Sequence, residues 1–333
     1  MPNPSKCLGC GAIKQTSNNN LVGFVKDLSH DYCLECFSLA NYRKTNKHFK
    51  PDTYDSILPN SLILIITSPF FLDQLTNLPI TKIQKNAKYV YIINQIDLLE
   101  KHTNLDYLDK QIKKKFNEYH TPYDNIVYMS ALNNAHINNL KQLINSYREE
   151  NVYLFGLQNS GKTTIFKALT NNTAALNINK AGLTQDVIME RLENNTIYDL
   201  PGVYTKGFLN DFFEYEKYNK LLPYKTLKPK IYQLKNTNKL VINDFLEVSV
   251  NSQEKVSLVF YLSDHNNITK YNIKNTNNYL NEDYSYVTKT FKVGDKKQIT
   301  IADFLIVLTK GNFSITIKTI KDLKVTIMES LLK

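Results

Sequence analysis

The stretch Gly-Leu-Gln-Asn-Ser-Gly-Lys-Thr at 156–163 constrains the fold of this chain more than any other. The pattern G-x-x-x-x-G-K-[ST] works where a strand delivers the first glycine and a helix opens at the lysine. Backbone N–H groups then converge on an anion at a helix N-terminus. Both flanks are in place, since "NVYLF" (151–155) is a β-rich run and "GKTTIFKALTNN" (161–172) has helical spacing. Gln158, Asn159, Ser160, Gly161, Lys162, Thr163 and Thr164 are expected to line the phosphates of a nucleotide. Lys162 would neutralise the β/γ oxygens, and the Thr163 hydroxyl would hold Mg²⁺.

Strand and helix signals alternate around this loop. "LILIIT" (62–67), "YVYII" (89–93) and "NIVYMS" (125–130) read as buried strands, and 108–119 and 137–150 as helices, which predicts a doubly wound parallel sheet. Downstream, "TIYDLPG" places Asp199 at a strand end, where a carboxylate can bind Mg²⁺ through water while the Gly202 N–H meets the γ-phosphate. Thr184 in "AGLTQD" is the candidate hydroxyl that senses γ-phosphate and Mg²⁺. Lys162, Thr163, Thr184 and Gly202 form the candidate catalytic set.

The base is read by "NQID" at 94–97. Asp97 can accept from both N1–H and the 2-amino group of guanine, whereas adenine leaves the carboxylate unpaired, at a cost of several kcal/mol when buried. Asn94 would bridge the base and the phosphate loop, and "MSAL" would aim the Ala131 N–H at guanine O6 with Ser130 shaping the turn. GTP and GDP are therefore the expected ligands; an ATP-dependent reading requires "NQID" to be accidental. These loops precede the phosphate loop, an order a circular permutation permits, because one sheet edge carries all of them wherever the chain begins. The helix ending near Glu150 runs almost directly into the strand at Val152, which supplies the link.

All four cysteines fall early, as "CLGC" (Cys7, Cys10) and "CLEC" (Cys33, Cys36). Two such pairs complete a closed tetrahedral shell for structural Zn²⁺; two disulfides are the competing reading, which a cytosolic chain disfavours. His30 is read as surface rather than as a replacement ligand. The formal net charge of +10 sits on the flanks of a near-neutral centre, which suits a polyanion such as RNA. The most apolar stretch, Leu62 to Leu72, is interrupted and too short to span a bilayer, so a cytoplasmic protein without membrane contact is expected. No repeat of 20–50 residues stands out. From 239 onward β-rich runs alternate with polar turns, an antiparallel set preceded by "KTLKPKIYQLK", whose Lys225, Lys228, Lys230 and Lys235 beside Tyr224 and Tyr232 can clamp phosphates and stack bases; a solvated linker with core aromatics is the competing reading. The remaining histidines, His136 among them, are read as surface.

Taken together, "CLGCG", "CLECFSLANY", "NQID", "SAL", "GLQNSGKT", "DLPGV" and "LPYKTLKPKIYQL" resemble the YqeH-type circularly permuted GTPases of small ribosomal subunit assembly, over nearly the whole chain. The resemblance implies a treble-clef zinc finger (1–48), a Ras-like circularly permuted P-loop GTPase domain of α/β class (49–220) and a β-rich RNA-binding domain (221–333). It further implies the small subunit or its precursor and its rRNA as partners, and K⁺ held by Asn159 in place of an arginine finger, the alternative being that Asn159 merely caps the loop; the oligomeric state is left open, with a monomer favoured. Gln95 departs from the family's usual lysine, and "AGLT" keeps only Gly182 and Thr184 of its switch. Val203 stands where Ras-like enzymes place the water-orienting glutamine. A slow, K⁺-stimulated GTPase is expected, and a non-hydrolysing, GTP-gated RNA-binding scaffold is the rival.

Overall fold

The computed structural model describes residues 7, 12–19, 23–34, 36–38, 57–76, 84–171, 187–275 and 277–332. Cys10, Thr184 and the rest of "AGLT" lie outside the described residues. By contacts the chain divides into two units: Met1–Asp97 with Lys113–Thr205 and Glu214–Asn219, and Leu98–Ile112 with Lys206–Phe213 and Lys220–Lys333. Two short segments, Leu98–Ile112 and Lys206–Phe213, thus count with the second unit, whereas the sequence-based boundary is a single cut after residue 220.

The first unit is built on a six-stranded sheet. Its strands are β1 (Ser61–Thr67), β2 (Ala87–Ile93), β3 (Asn125–Tyr128), β4 (Asn151–Gly156), β5 (Ile188–Arg191) and β6 (Thr196–Asp199), in the order β3-β2-β1-β4-β6-β5. All pairs are parallel except β5 with β6, an antiparallel edge. The near-continuous apolar runs of β1 and β4 follow from helices covering both faces; every residue of β1 is buried. The helices α1 (Leu105–Glu118), α2 (Asn134–Tyr147) and α3 (Lys162–Thr170) match the three predicted from spacing to within a few residues. On one face Leu62, Leu64 and Ile66 pack with Ile137, Leu140 and Ile144 of α2 and with Ile165, Phe166 and Leu169 of α3. Full burial of each such side chain contributes about 1.5–3 kcal/mol. Asn133 caps α2, accepting from the N–H groups of Ala135 and His136, and Arg148 ends it in the left-handed conformation at φ 62°, which turns the chain into β4 within three residues. Because the parallel strands point one way, Asn94, Ser130, Gly156 and Asp199 all leave the sheet at its carboxyl edge.

The second unit includes two five-stranded antiparallel sheets made from β7 (Lys230–Leu234), β8 (Asn238–Ile242), β9 (Leu246–Asn251), β10 (Val256–Tyr261), β11 (Ile268–Asn272), β12 (Tyr286–Val293), β13 (Lys297–Ile301), β14 (Leu305–Lys310), β15 (Phe313–Ile320) and β16 (Val325–Glu329). The orders are β16-β13-β14-β10-β7 and β11-β8-β9-β15-β12. Exchanging β7–β11 for β12–β16 converts one order into the other. The registers obey the same exchange: Ile242 pairs with Leu246 as Ile301 pairs with Leu305, Phe260 with Lys230 as Ile317 with Lys289, and Ile242 with Ile268 as Ile301 with Val325. Ser257 opposite Lys310 likewise corresponds to Ser314 opposite Asn251. The unit is therefore an internal duplication, with an offset of 57 to 59 residues that lies beyond the 20–50-residue range in which no repeat stands out. Each sheet takes three strands from one half and two from the other, so neither half can bury its apolar faces alone. "INDFLEV" and "IADFLIV" are the matching hairpin turns; each carries a positive φ, at Asn243 (51°) and Ala302 (47°), and their Phe245 and Phe304 rings pack at 5.5 Å.

Candidate functional site

The phosphate loop closes between β4 and α3 through two left-handed residues, Asn159 (φ 61°) and Gly161 (φ 90°). A side chain at Gly161 would place its Cβ 2.3 Å from Asn94 Nδ2, so glycine is required by proximity as well as by φ. Lys162 is buried, and its Nζ donates to the Gly156 and Leu157 carbonyls at 3.2 and 3.0 Å. Burial pulls its pKa down to about 8, with Asp199 acting in the opposite direction. Ser160 Oγ, fully buried, has no hydrogen-bond partner among the described residues. A loop that holds a desolvated ammonium and a hydroxyl without a partner is chemically suited to an incoming polyphosphate.

Asp199 ends β6 fully buried and accepts from Thr163 Oγ1 at 2.7 Å. The hydroxyl and the carboxylate that the motif assigns to Mg²⁺ are thus side by side, and they are the residues that would hold the ion. Gly202 follows against the phosphate loop; a Cβ there would sit 2.9 Å from Gln158 Cα. The Val203 N–H donates to the Gly156 carbonyl at 3.0 Å, and the Gln158 N–H to the Val203 carbonyl at 3.2 Å. The sequence-based expectation assigns the Gln158 N–H to the phosphates; here it is engaged by Val203. The reason is that Asp199–Val203 continues alongside the loop as an extra backbone pairing, Leu157 with Val203.

The base-reading segment meets the loop from the other side. Asn94, 1% exposed, donates from Nδ2 to the Ser160 carbonyl at 3.1 Å and accepts on Oδ1 from the Ala131 N–H at 3.0 Å. Gln95, held at φ 59°, donates from Nε2 to the Asn159 carbonyl at 3.4 Å. Asp97 lies half-buried in a short 3-10 turn, Ile96–Leu98. The Ala131 N–H, expected to aim at guanine O6, here donates to Asn94 Oδ1. Ser130 Oγ accepts from the Leu132 N–H at 3.2 Å. His136, read as surface from the sequence, accepts on Nδ1 from the Ser130 N–H at 3.0 Å and so helps to set this turn. Nothing in its spacing signals that role, which arises only where the start of α2 folds back on the loop before it.

Asn159 is half-buried, and its side chain has no hydrogen-bond partner among the described residues. In the finger, the Sγ atoms of Cys7, Cys33 and Cys36 lie within 4.8 Å of one another, all three buried and none in a disulfide. The Cys33 N–H donates to Cys7 Sγ at 3.2 Å, an arrangement that supports a thiolate. Three convergent buried thiols fit a zinc shell. Among the cationic candidates downstream, Lys225 pairs with Asp264 at 3.0 Å, Tyr224 stacks on His265 at 5.2 Å and Tyr232 packs edge-on against buried Phe260. Tyr232 is therefore part of the β-unit's packing rather than an open stacking platform. Among the described residues no helix is long and apolar enough to cross a membrane.

Comparison with known proteins adds the following. A family profile described as "50S ribosome-binding GTPase" matches residues 151–310. YqeH of Bacillus subtilis (strain 168), itself described as uncharacterized, is 23% identical over 286 residues, 81% of this chain and 78% of that one. An "uncharacterized GTP-binding protein" of Methanocaldococcus jannaschii is 33% identical over 126 residues, 36% of this chain and 31% of that one. The crystal structure of YjeQ from Thermotoga maritima is 22% identical over 44% of this chain and 48% of that one, with a TM-score of 0.29.

Proposed function

We propose, starting from the chain's resemblance to YqeH-type GTPases, which its likeness to YqeH bears out, that it is a GTP-binding and GTP-hydrolysing switch of small ribosomal subunit assembly, acting in the cytoplasm as a monomer. The observation that carries this reading is Asn94, whose one amide touches both the phosphate loop and the Ser130–Ala131 turn. Base and phosphate recognition are thereby coupled, although Asn94 precedes Ser160 in the chain. We read that order as a circular permutation of a Ras-like domain; the strand order, with β1 and β2 on one side of β4 and β6 on the other, supports it.

In this scheme Lys162 turns from the loop carbonyls to the β/γ oxygens, and Thr163 with Asp199 holds Mg²⁺, which supplies charge neutralisation when bound. Val203 offers no side-chain group to orient water, so hydrolysis is slow unless a cation completes the site. Asn159, with its side chain uncommitted, is the residue we assign to K⁺. The finger and the basic β-unit engage rRNA of the small subunit or its precursor. A second reading, a GTP-gated scaffold that does not hydrolyse, is favoured by one observation: Val203 is stapled by its backbone to Gly156 and Gln158.

Multiple-turnover phosphate release with GTP and ATP, in KCl and in NaCl, with and without ribosomal subunits, tests this. The expected result is GTP-selective release stimulated by K⁺ and by the small subunit. Binding of GTP with no release above background establishes the scaffold instead, and stimulation by the large subunit alone redirects the partner.

A further inference from the structure

The duplicated halves of the β-unit are not equivalent at one corner. In the first half, Asp264 lies just before β11 and is paired with Lys225, which holds its carboxyl below the usual range, and Tyr224 stacks on the neighbouring His265. The registers of β8 with β11 and of β13 with β16 put Lys321 at the position of Asp264 in the second half. Lys289 occupies the place of Lys230. The acid is replaced by a base. The result is a cleft of about 440 Å³ lined by Lys206, Lys289, Lys321 and Lys324, with Asp322 as its acidic side chain. Lys206, Lys289 and Lys321 are exposed and form no ion pair among the described residues, and Lys324 sits over the Phe208 ring at 5.9 Å.

The cleft is also built rather than incidental. Gly207 takes φ 90°, and a Cβ there would fall 2.6 Å from the Asp322 carbonyl oxygen and 2.9 Å from Lys324 N. Only glycine lets the chain lie on this turn, where Lys324 N–H donates to the Gly207 carbonyl at 2.9 Å. That bond brings Lys206 alongside Lys321 and Lys324. Lys206 follows Gly202 in the chain after only Val203–Thr205, so the nucleotide-sensing segment leads straight into the cleft wall.

We infer that this cleft is a binding site for the phosphodiester backbone of RNA, created by loss of the Asp264-type ion pair in the second half of the duplication. The inference rests on the proposed RNA partner and names its site. Four lysines converging on a concave surface match successive backbone phosphates, whereas a lipid surface would ask for exposed large apolar side chains, and none of the lining residues is one. The mirror corner, already neutralised by Asp264, should contribute little.

The test is fluorescence anisotropy of a short labelled single-stranded RNA on the full chain, titrated across salt, for wild type, Lys289→Gln/Lys321→Gln and, as the mirror control, Lys225→Gln. Both substituted lysines of the double variant are exposed and lie outside the nucleotide site, so melting temperature and labelled-GDP affinity should not change. The double variant is expected to lose affinity on the order of tenfold at low salt and to flatten the log–log salt slope by about 0.7 per lysine, with Lys225→Gln near wild type. Wild-type binding that the double variant leaves unaltered overturns this site while the RNA reading stands. No RNA binding by wild type overturns both. Complete displacement by millimolar inorganic phosphate at matched ionic strength identifies a small-anion site and overturns the assignment to a polymer.

Discussion

The side-chain amide of Asn94 and the carbonyl of Ser160 meet at 3.1 Å, and this one bond ties the segment that reads the base to the loop that takes the phosphates. Its second contact, from the Ala131 N–H, makes Asn94 the hub of the pocket. Replacing it by alanine leaves a buried carbonyl and an N–H unsatisfied, at about 1–3 kcal/mol. Asn94→Ala should weaken labelled-GDP binding by on the order of 10–100-fold, and Asn94→Asp should fail similarly, because a carboxylate cannot donate to Ser160. Nucleotide titration by fluorescence measures both.

Nucleotide affinity should depend on pH through Lys162. Burial holds its pKa near 8 in the free site, and bound phosphates favour the charged form, so binding is accompanied by proton uptake above that pH. GDP affinity is expected to be flat below pH 7.5 and to fall by up to about tenfold per pH unit above 8. Isothermal titration in buffers of different ionisation enthalpy reads the proton uptake directly. A flat profile to pH 9.5 would show that Lys162 keeps an ordinary pKa.

The Cys7, Cys33 and Cys36 cluster should carry one zinc ion per chain, measurable by elemental analysis. A knob this small has little core of its own, so chelation or Cys33→Ser should expose reactive thiols and unfold the finger, with the metal worth on the order of 10 kcal/mol. The six-stranded sheet is expected to melt unchanged.

Asp303 gives the second unit a pH-dependent stability. Burial pushes its pKa up to about 6; Oδ1 accepts from the Leu209 N–H at 3.0 Å, but Oδ2 has no partner among the described residues. A carboxyl with a raised folded pKa contributes stability that is complete below its unfolded pKa, near 4, and is lost as pH rises through 6. Asp303→Asn keeps an acceptor for Leu209 and removes the charge. It should stabilise the unit at pH 7 by up to about 3 kcal/mol and abolish the difference between pH 4 and 6. Denaturant titrations of wild type and variant at the two pH values provide the measurement.

Much of the nucleotide pocket was legible before any coordinates, since strand, glycine loop and helix are local signals, and "NQID" and "MSAL" each end a β-rich run. The details of engagement were not. That the Ala131 N–H turns to Asn94, that the Gln158 N–H turns to Val203, and that His136 braces Ser130 all depend on which segments meet, which no local pattern encodes. The duplication was hidden for a related reason. The two halves share a burial pattern and hairpin registers, but few letters outside "DFL", because exposed positions such as Asp264 and Lys321 are free to diverge.

What the sequence alone determined is the chemistry that follows from neighbours in the chain: a phosphate loop, a base-reading tetrapeptide, paired thiols, a parallel sheet followed by antiparallel strands. Backbone periodicity and turn chemistry act over a few residues, so they are written locally. What only the tertiary structure decided is the pairing of Gln158 with Val203, the bracing of Ser130 by His136, the interlocked halves of the β-unit and the cleft beside Gly207. Those arise from burial, and burial is a property of distant segments brought together, where the same lysine is a solvated surface charge or the wall of a site depending on what packs beside it.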